Sequence, residues 1–429
     1  MQLNPFAGAY VTDPGIIWRR LLDDGAGAHF AEDLGLWLIS KYEYVRRALG
    51  DPTTFANSLT LLPAYNPAPE ALALFAEIDA PPVTAAADPP THPRTRRALR
   101  ATFANTDRRV EAQYGEIVRR RVDELVARLT ARRGERVDLI RGFAADLPLR
   151  VVLDILGVPD EDFDRIKAWS DDQIALVWGQ PGPADQVRLA RGLLEFWRYC
   201  QDLVDLRLRQ GHRGDDFVSR VLDYRNGDDE VLTRAEVASM AFNLLVAGHE
   251  TTAGLLAHVL DLALGERERW LGLVADPSRA PAFIEETLRL TPAIDGWLRL
   301  TLQPVTLGDV TIPAGSRCLL LIGAANRDPA VYRDPEAFDP ERTGRDHLSF
   351  GYGPHFCIGA ALARLEAEVA LRRLTAAIPG LRLAPGYVRS YKPNFAFRAH
   401  RELPAVVDIG VPAGSRPRAQ EIRPVVEAA

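Results

Sequence analysis

Phe350-Gly351-Tyr352-Gly353-Pro354-His355-Phe356-Cys357-Ile358-Gly359, running into ALARLEAEVALRRL, is the stretch whose reading decides this chain. Glycines at 351, 353 and 359 let the backbone turn tightly, approach a flat ligand and direct N–H groups at Cys357. The start of a helix follows at once, where the macrodipole is positive, and both features favour sulfur as an anion. A lone cysteine is ordinarily a small buried hydrophobe, and the surrounding glycines argue against that role here. A dinucleotide fingerprint fails, because G-x-G-x-x-G would need glycine where Phe356 stands and no βαβ pattern precedes it.

Upstream, residues 238–264 (ASMAFNLLVAGHETTAGLLAHVLDLAL) are apolar on nearly all sides, which predicts a buried central helix. Its polar residues, in Ala247-Gly248-His249-Glu250-Thr251-Thr252, need a reason. Glycine is about 1 kcal/mol worse than alanine inside a helix, and adjacent threonines bond back to the preceding turn, so a bend is expected. On these residues alone, back-bonded threonines with a salt-bridged glutamate and a reactive groove both stand. Glu286-Thr287-Leu288-Arg289 places two opposite charges on one face of a helix over 280–290.

Residues 28–40 read as two short strands around a turn, and 303–321 as a hairpin between Gly-Asp and Pro-Ala-Gly turns. Residues 57–90, dense in proline, read as a long irregular loop and a candidate substrate lid. From Pro93 to about Gly265 the pattern is helical. A Pro- and Asp-rich meander spans 326–346, a helix 359–378, and short strands close the chain near 381–407. One domain over 1–407 and a polar tail over 408–429 are expected.

The 429 residues are 47% hydrophobic and 26% charged, ordinary values for a globular chain with a large core. A net charge of -6, from 52 basic and 58 acidic residues, supplies no field for gripping nucleic acid. No signal peptide or membrane span is read, so a cytoplasmic, unanchored protein is expected. Cys200, Cys318 and Cys357 form neither a disulfide framework nor a zinc motif.

Taken together, F-G-x-G-x-H-x-C-x-G with A-x-L-A-R after it, A-G-x-E-T in the central helix and E-x-x-R before the hairpin resemble the cytochrome P-450 family, in order and over nearly the whole chain. The resemblance implies a mainly α fold with a small β portion, holding haem b between a central distal helix and a proximal cysteine loop. Cys357 takes the place of the axial iron ligand, with Phe350, Gly351, His355 and Gly359 around it. Glu250 and Thr251 take that of the acid–alcohol pair relaying protons for O2 activation, beside Ala247 and Gly248. Asp88-Pro89-Pro90-Thr91-His92-Pro93-Arg94-Thr95-Arg96 is similar to the family's entry to an early helix, which assigns His92 and Arg96, with Arg299, to the haem carboxylates. One departure stands out. The family commonly has a basic residue just before the phenylalanine that is Phe338 here, and this chain has Ala337, leaving Arg333 and Arg342 as substitutes.

The implied activity is a monooxygenase with electrons from a ferredoxin and its reductase, since no flavin or iron–sulfur module is read. A haem-thiolate peroxygenase or dehydratase, and a non-catalytic haem sensor, are the rivals. By position the substrate pocket draws on 57–87, helices within 165–210, 244–248, 294–297 and 394–397. Ile294, Trp297, Phe395 and Phe397 point to a small, largely apolar or aromatic substrate, with Asp295 and Asn394 as candidate polar handles, and the resemblance implies a part in secondary metabolism.

Overall fold

The computed structural model describes residues 4–63, 65–211, 214–344 and 346–410. The expected tail lies outside them from residue 411 on. Among the described residues no helix is long and apolar enough to cross a membrane.

Helices form the body, and three small sheets flank it. Strands β1 (His29–Ala31), β2 (Leu36–Ile39), β3 (Phe55–Ala56), β5 (Gly296–Thr301) and β8 (Arg317–Leu321) make one sheet in the order β1-β2-β8-β5-β3. Only the β2–β8 pairing is parallel. The predicted hairpin is β6 (Val305–Leu307) and β7 (Val310–Ile312), turning at Gly308 with φ of +60°. Strands β4 (Arg136–Asp138), β10 (Pro404–Val406) and β9 (Arg382–Leu383) form the third sheet. β4 and β5 were not read from the sequence; β5 is covered on both faces and so lacks the alternation that marks a half-exposed strand.

The proline-rich segment holds more order than expected. Pro69–Glu77 is a helix, with proline in its first turn, where a missing N–H loses nothing. Ala71, Leu74 and Phe75 pack on Leu176, Leu189 and Ala190. The Ala-Leu run was long enough for two turns, and the proline density around it masked the signal.

The central helix is interrupted, not merely bent. Arg234–Ala247 starts with a capping box between Thr233 and Glu236 and ends at Gly248; Glu250–Gly265 resumes after His249. Hydroxyls of Thr251 and Thr252 donate back to the carbonyls of Ala247 (2.9 Å) and Gly248 (3.4 Å). A Cβ on Gly248 would lie 2.7 Å from Val152, so glycine is what lets the Asp146–Leu156 helix pack against the break.

Glu286 and Arg289, on the Ala280–Leu290 helix, are each 1% exposed. The guanidinium meets the carboxylate in a fork at 2.9 and 2.8 Å. Its remaining N–H groups donate to the carbonyls of Asn326, Pro335 and Ala337. Arg342 completes the network, 3.3 Å from Glu286, and also donates to carbonyls 333, 334 and 337. Thus Arg342, not Arg333, stands in for the missing base, and Ala337 contributes its carbonyl. Arg333 is 95% exposed.

Arg289→Ala leaves Glu286 buried with only Arg342 to balance it, a loss of ~3–5 kcal/mol. Arg342→Ala keeps the fork and is expected to be milder. Denaturant unfolding of the two variants checks this, and equal losses would contradict the ranking.

Candidate active site

The Cys357 loop is built by short-range turns. Gly351 and Gly353 have φ of +73°, and a Cβ on Gly353 would stand 2.9 Å from Cα of Gly50. The Cys357 N–H donates to the Phe350 carbonyl at 2.8 Å, closing the loop just before the Ala360–Ala377 helix. Arg364 of that helix forks onto Glu285 at 2.6 and 3.0 Å, tying loop and helix to the element that carries Glu286.

The sulfur opens into a cavity with about 1800 Å3 free of protein atoms, part of it open to solvent. Cys357 is surface-accessible only in the sense that it faces this space, deep within the protein. Burial pushes its thiol up, opposed by the N–H groups of Gly359 and Ala360 and by Arg96 and Arg364. Phe350, Gly351, His355 and Gly359 line the same cavity, as do Ala247, Gly248 and Thr251 from the interrupted helix. Thr251 keeps its back-bond while lining the wall, so the two readings of this residue coexist.

Glu250 does not reach the cavity wall. Its Oε1 is 2.9 Å from His249 Nε2 and 3.1 Å from Lys167 Nζ, on the Phe163–Trp178 helix, with Ser170 Oγ at 3.4 Å. Burial raises its pKa, but His249 and Lys167 outweigh that and hold the carboxyl well below its ordinary value.

At the cavity's edge the chain gathers basic groups. Arg96, Arg299 and His355 line it, and His92 stacks on His355 with ring centroids 3.9 Å apart. Burial brings Arg299 down to about 10, opposed by Asp88. Burial, His92, Arg299 and Arg96 push His355 down to about 3. Buried nitrogens of His92 (Nε2), Arg96 (Nε) and His355 (Nε2) have no protein partner. Buried polar groups are normally paired, so stranded donors beside two guanidiniums call for an anion. Two carboxylates on a flat macrocycle fit this edge, and a thiol facing the same space fits an iron centre. No cluster of three or more His, Cys, Asp or Glu side chains that could hold a metal exists among the described residues.

The expected pocket segments meet here with exceptions. Ile294, Trp297 and Phe397 line the cavity, but Phe395 is buried in the core beside it. Neither polar handle faces the cavity. Asp295 is 4% exposed, with Arg398 and Arg327 as its charged neighbours, and the Asn394 side chain accepts the N–H groups of Ala396 and Phe397. No lining residue comes from beyond Trp178 in the 165–210 stretch. Gln173, Trp178, Phe242 and Asn243 do line it and were not singled out, because nothing local distinguishes them from other helical residues. Glu366, fully buried on the proximal side with both oxygens unpartnered, was also missed; burial raises its pKa well above the usual range.

Comparison with known proteins agrees with this architecture. The Cytochrome P450 family profile matches residues 280–375. Cytochrome P450 107B1 of Saccharopolyspora erythraea is 38% identical over 82% of this chain and 84% of its own length. Mycinamicin IV hydroxylase/epoxidase of Micromonospora griseorubida is 34% identical over 86% and 89%. The structure of cytochrome P450 CREJ in complex with (4-ethylphenyl) dihydrogen phosphate superposes with a TM-score of 0.87 at 31% identity, over 94% of this chain and 99% of that one. This chain belongs to the cytochrome P450 family. It is an oxidoreductase of the monooxygenase class, and membership implies a haem, a source of electrons and O2.

Burial raises Asp295 from 3.8 to about 6, against the pull of Arg398 and Arg327. Above about pH 4 the unfolded chain releases this proton while the fold retains it, so stability falls as pH rises toward 6 and stays lower beyond. Asp295→Asn is therefore expected to raise the melting temperature at pH 7, by the equivalent of roughly 1–3 kcal/mol, and much less at pH 4. Ligand-induced spectral shifts should be unchanged. A gain no larger at pH 7 than at pH 4 would show that the carboxyl is not held neutral.

Proposed function

We propose that this protein is an O2-dependent monooxygenase that holds haem b through Cys357, draws electrons from a ferredoxin and its reductase, and oxidises a small, largely apolar organic substrate of secondary metabolism. The observation that carries this reading is one cavity lined by both the Cys357 sulfur and Thr251, with stranded basic groups at its edge. Cys200 and Cys318 are buried and remote from any C-x-x-C-H pattern, which supports a haem held without covalent attachment. Arg96, Arg299, His92 and His355 would hold its carboxylates. When bound, such a haem activates O2, the thiolate pushing electron density that favours O–O cleavage.

The chain's own groups supply the rest. Thr251 presents a hydroxyl at the cavity wall, able to hold a water and pass a proton, and Glu250 stands one residue away as the acid. Leu61, Val83, Trp178, Phe242, Ile294, Trp297 and Phe397 give an apolar wall that excludes water, and Thr84, Gln173 and Asn243 are its polar points. Within the Cys357 loop Phe356 and Tyr352 are exposed, and Arg46 and Arg100 are exposed nearby. A patch of aromatics and guanidiniums suits an acidic electron carrier. The substrate class is supported by the relative named for hydroxylation and epoxidation of mycinamicin IV.

Two measurements test this. Cys357→His should replace the reduced, carbon monoxide-bound absorption band of thiolate-ligated haem with that of imidazole-ligated haem; a wild-type protein already showing the imidazole band contradicts the ligand assignment.

Thr251→Ala should still bind substrate but form severalfold less product per nicotinamide oxidised, with hydrogen peroxide released instead. An unchanged ratio without extra peroxide would leave Thr251 as a back-bonded helix residue and remove the support it gives to O2 activation over peroxide use.

A further inference from the structure

Gln173 lies on the Phe163–Trp178 helix, three residues beyond Ser170, whose hydroxyl reaches Glu250 at the break in the central helix. Residues three apart share a helix face, so Gln173 continues the face that meets the break. Its side chain lines the cavity and is only 6% exposed. Oε1 is nonetheless buried without a partner, and Nε2 donates to no group among the described residues. Turning the terminal amide about its last torsion exchanges the two atoms, so either can face the chamber. Thr84, also 6% exposed, lines the same cavity with an unpartnered hydroxyl, and Asn243 adds a second amide to the wall.

Buried polar groups are normally paired, and an unpaired amide destabilises a fold. Packing does not account for Gln173, because a leucine of similar size would fill the same wall without that cost. A ligand is what pairs it. The ionisable residues of the cavity are Arg96, Arg299 and His355 at its edge, with Cys357 and Glu366 on the proximal side. Among the lining residues of 60–85, 173–178, 242–255 and 293–297, none is ionisable. A charged substrate group beside Gln173 would therefore lose its water with no counter-ion to replace it, which is far more costly than burying a neutral group. Glutamine presents a C=O acceptor and an N–H donor side by side. Its full complement is a group with N–H and C=O on one edge, which closes two hydrogen bonds in a ring. A ketone uses only the donor, and a single hydroxyl cannot align with both atoms at once.

We propose that Gln173, with Thr84 beside the same chamber, is a specificity-determining residue, and that the substrate is a neutral molecule carrying a carboxamide or a small lactam on an otherwise apolar frame. The amide pairs with Gln173, and the frame fills the wall of Val83, Trp178, Phe242, Ile294 and Phe397. This deepens the monooxygenase reading and rests on it for the cavity being the substrate chamber.

Matched probes on two frames test it on the haem-loaded protein: adamantane carboxamide, adamantyl methyl ketone and adamantane carboxylate, then decanamide with its methyl ketone and decanoate. Binding is read twice, by the shift of the haem absorption band and by the ligand-induced rise in melting temperature. On at least one frame the amide is expected to bind about tenfold more tightly than the ketone or the carboxylate, as two hydrogen bonds to a buried neutral group allow. Gln173→Leu should erase that preference and leave the ketone's affinity unchanged. The same variant should raise the melting temperature of the ligand-free protein, because it removes a buried amide that the fold leaves unpaired. Should it fail to incorporate haem, Gln173→Met reads the same ratio. No amide preference on either frame, including no binding by either amide, overturns the proposal, as does a preference that survives the substitution. A fall in the ligand-free melting temperature would show that the amide serves the fold and would overturn it too. Neither readout needs turnover, so loss of the amide preference and failure of the Thr251→Ala test are separate results.

Discussion

The fork between Arg289 and Glu286 fixes the meander and, through it, the approach to the Cys357 loop. It lies in the core, where neither charge has water, and its energy depends on every remaining donor and acceptor being used. They are used on the meander: carbonyls 326, 335 and 337 accept from Arg289, and the Asp339 N–H donates to Glu286. Asn326 then extends the chain of contacts, its side-chain oxygen accepting the Leu348 N–H and its amide donating to Ser349, whose hydroxyl donates to the Leu288 carbonyl. From Leu348 the backbone enters the Gly351 turn and reaches Cys357. A charge pair with no chemistry of its own thus sets the position of the residue that faces the cavity.

The opposite wall is organised by a different compromise. A continuous helix through 234–265 would satisfy every backbone group but would present no local opening. The interruption at Gly248 and His249 gives up helical regularity, and the threonine hydroxyls recover part of it by bonding back to carbonyls of the preceding turn. Their presence there is consistent with both a structural and a chemical part, because a hydroxyl donating to a carbonyl still has lone pairs to offer a water in the cavity. Around the break, the fold places unlike environments side by side: an apolar chamber above Thr251, and a group of ionised side chains around Glu250.

The cavity edge shows how burial and charge decide what a site accepts. Burial disfavours the charge on each of Arg96, Arg299, His92 and His355, and His355 is further disfavoured by His92, Arg299 and Arg96, and His92 by Arg96. A fold keeps such a cluster only if something compensates it. Asp88 does little, since its carboxylate is occupied by the N–H groups of Asn57 and Ser58, where it fixes the loop entering the early helix. The demand for an anionic ligand is therefore built into the cavity edge, independently of the sulfur.

Much of this was legible in the sequence, for definable reasons. The Gly-rich turn before a helix, the polar interruption of an apolar run, E-x-x-R and the hairpin turn are local patterns, and local patterns survive in one dimension. They determined the family resemblance, the mainly helical fold and the residues that meet around the cavity. What the sequence left open depended on distance in space. Arg342 replaces the base missing at 337 because the meander folds back by five residues, which spacing alone did not decide between Arg342 and Arg333. Asp295 and Asn394 sit beside true wall residues in the chain, yet one is buried near Arg398 and Arg327 and a local turn engages the other. The helix at 69–77 formed where prolines predicted a loop, because an apolar partner surface was there to receive it. Glu250 met Lys167 only because two helices more than eighty residues apart pack together, and no periodicity in either helix encodes that meeting.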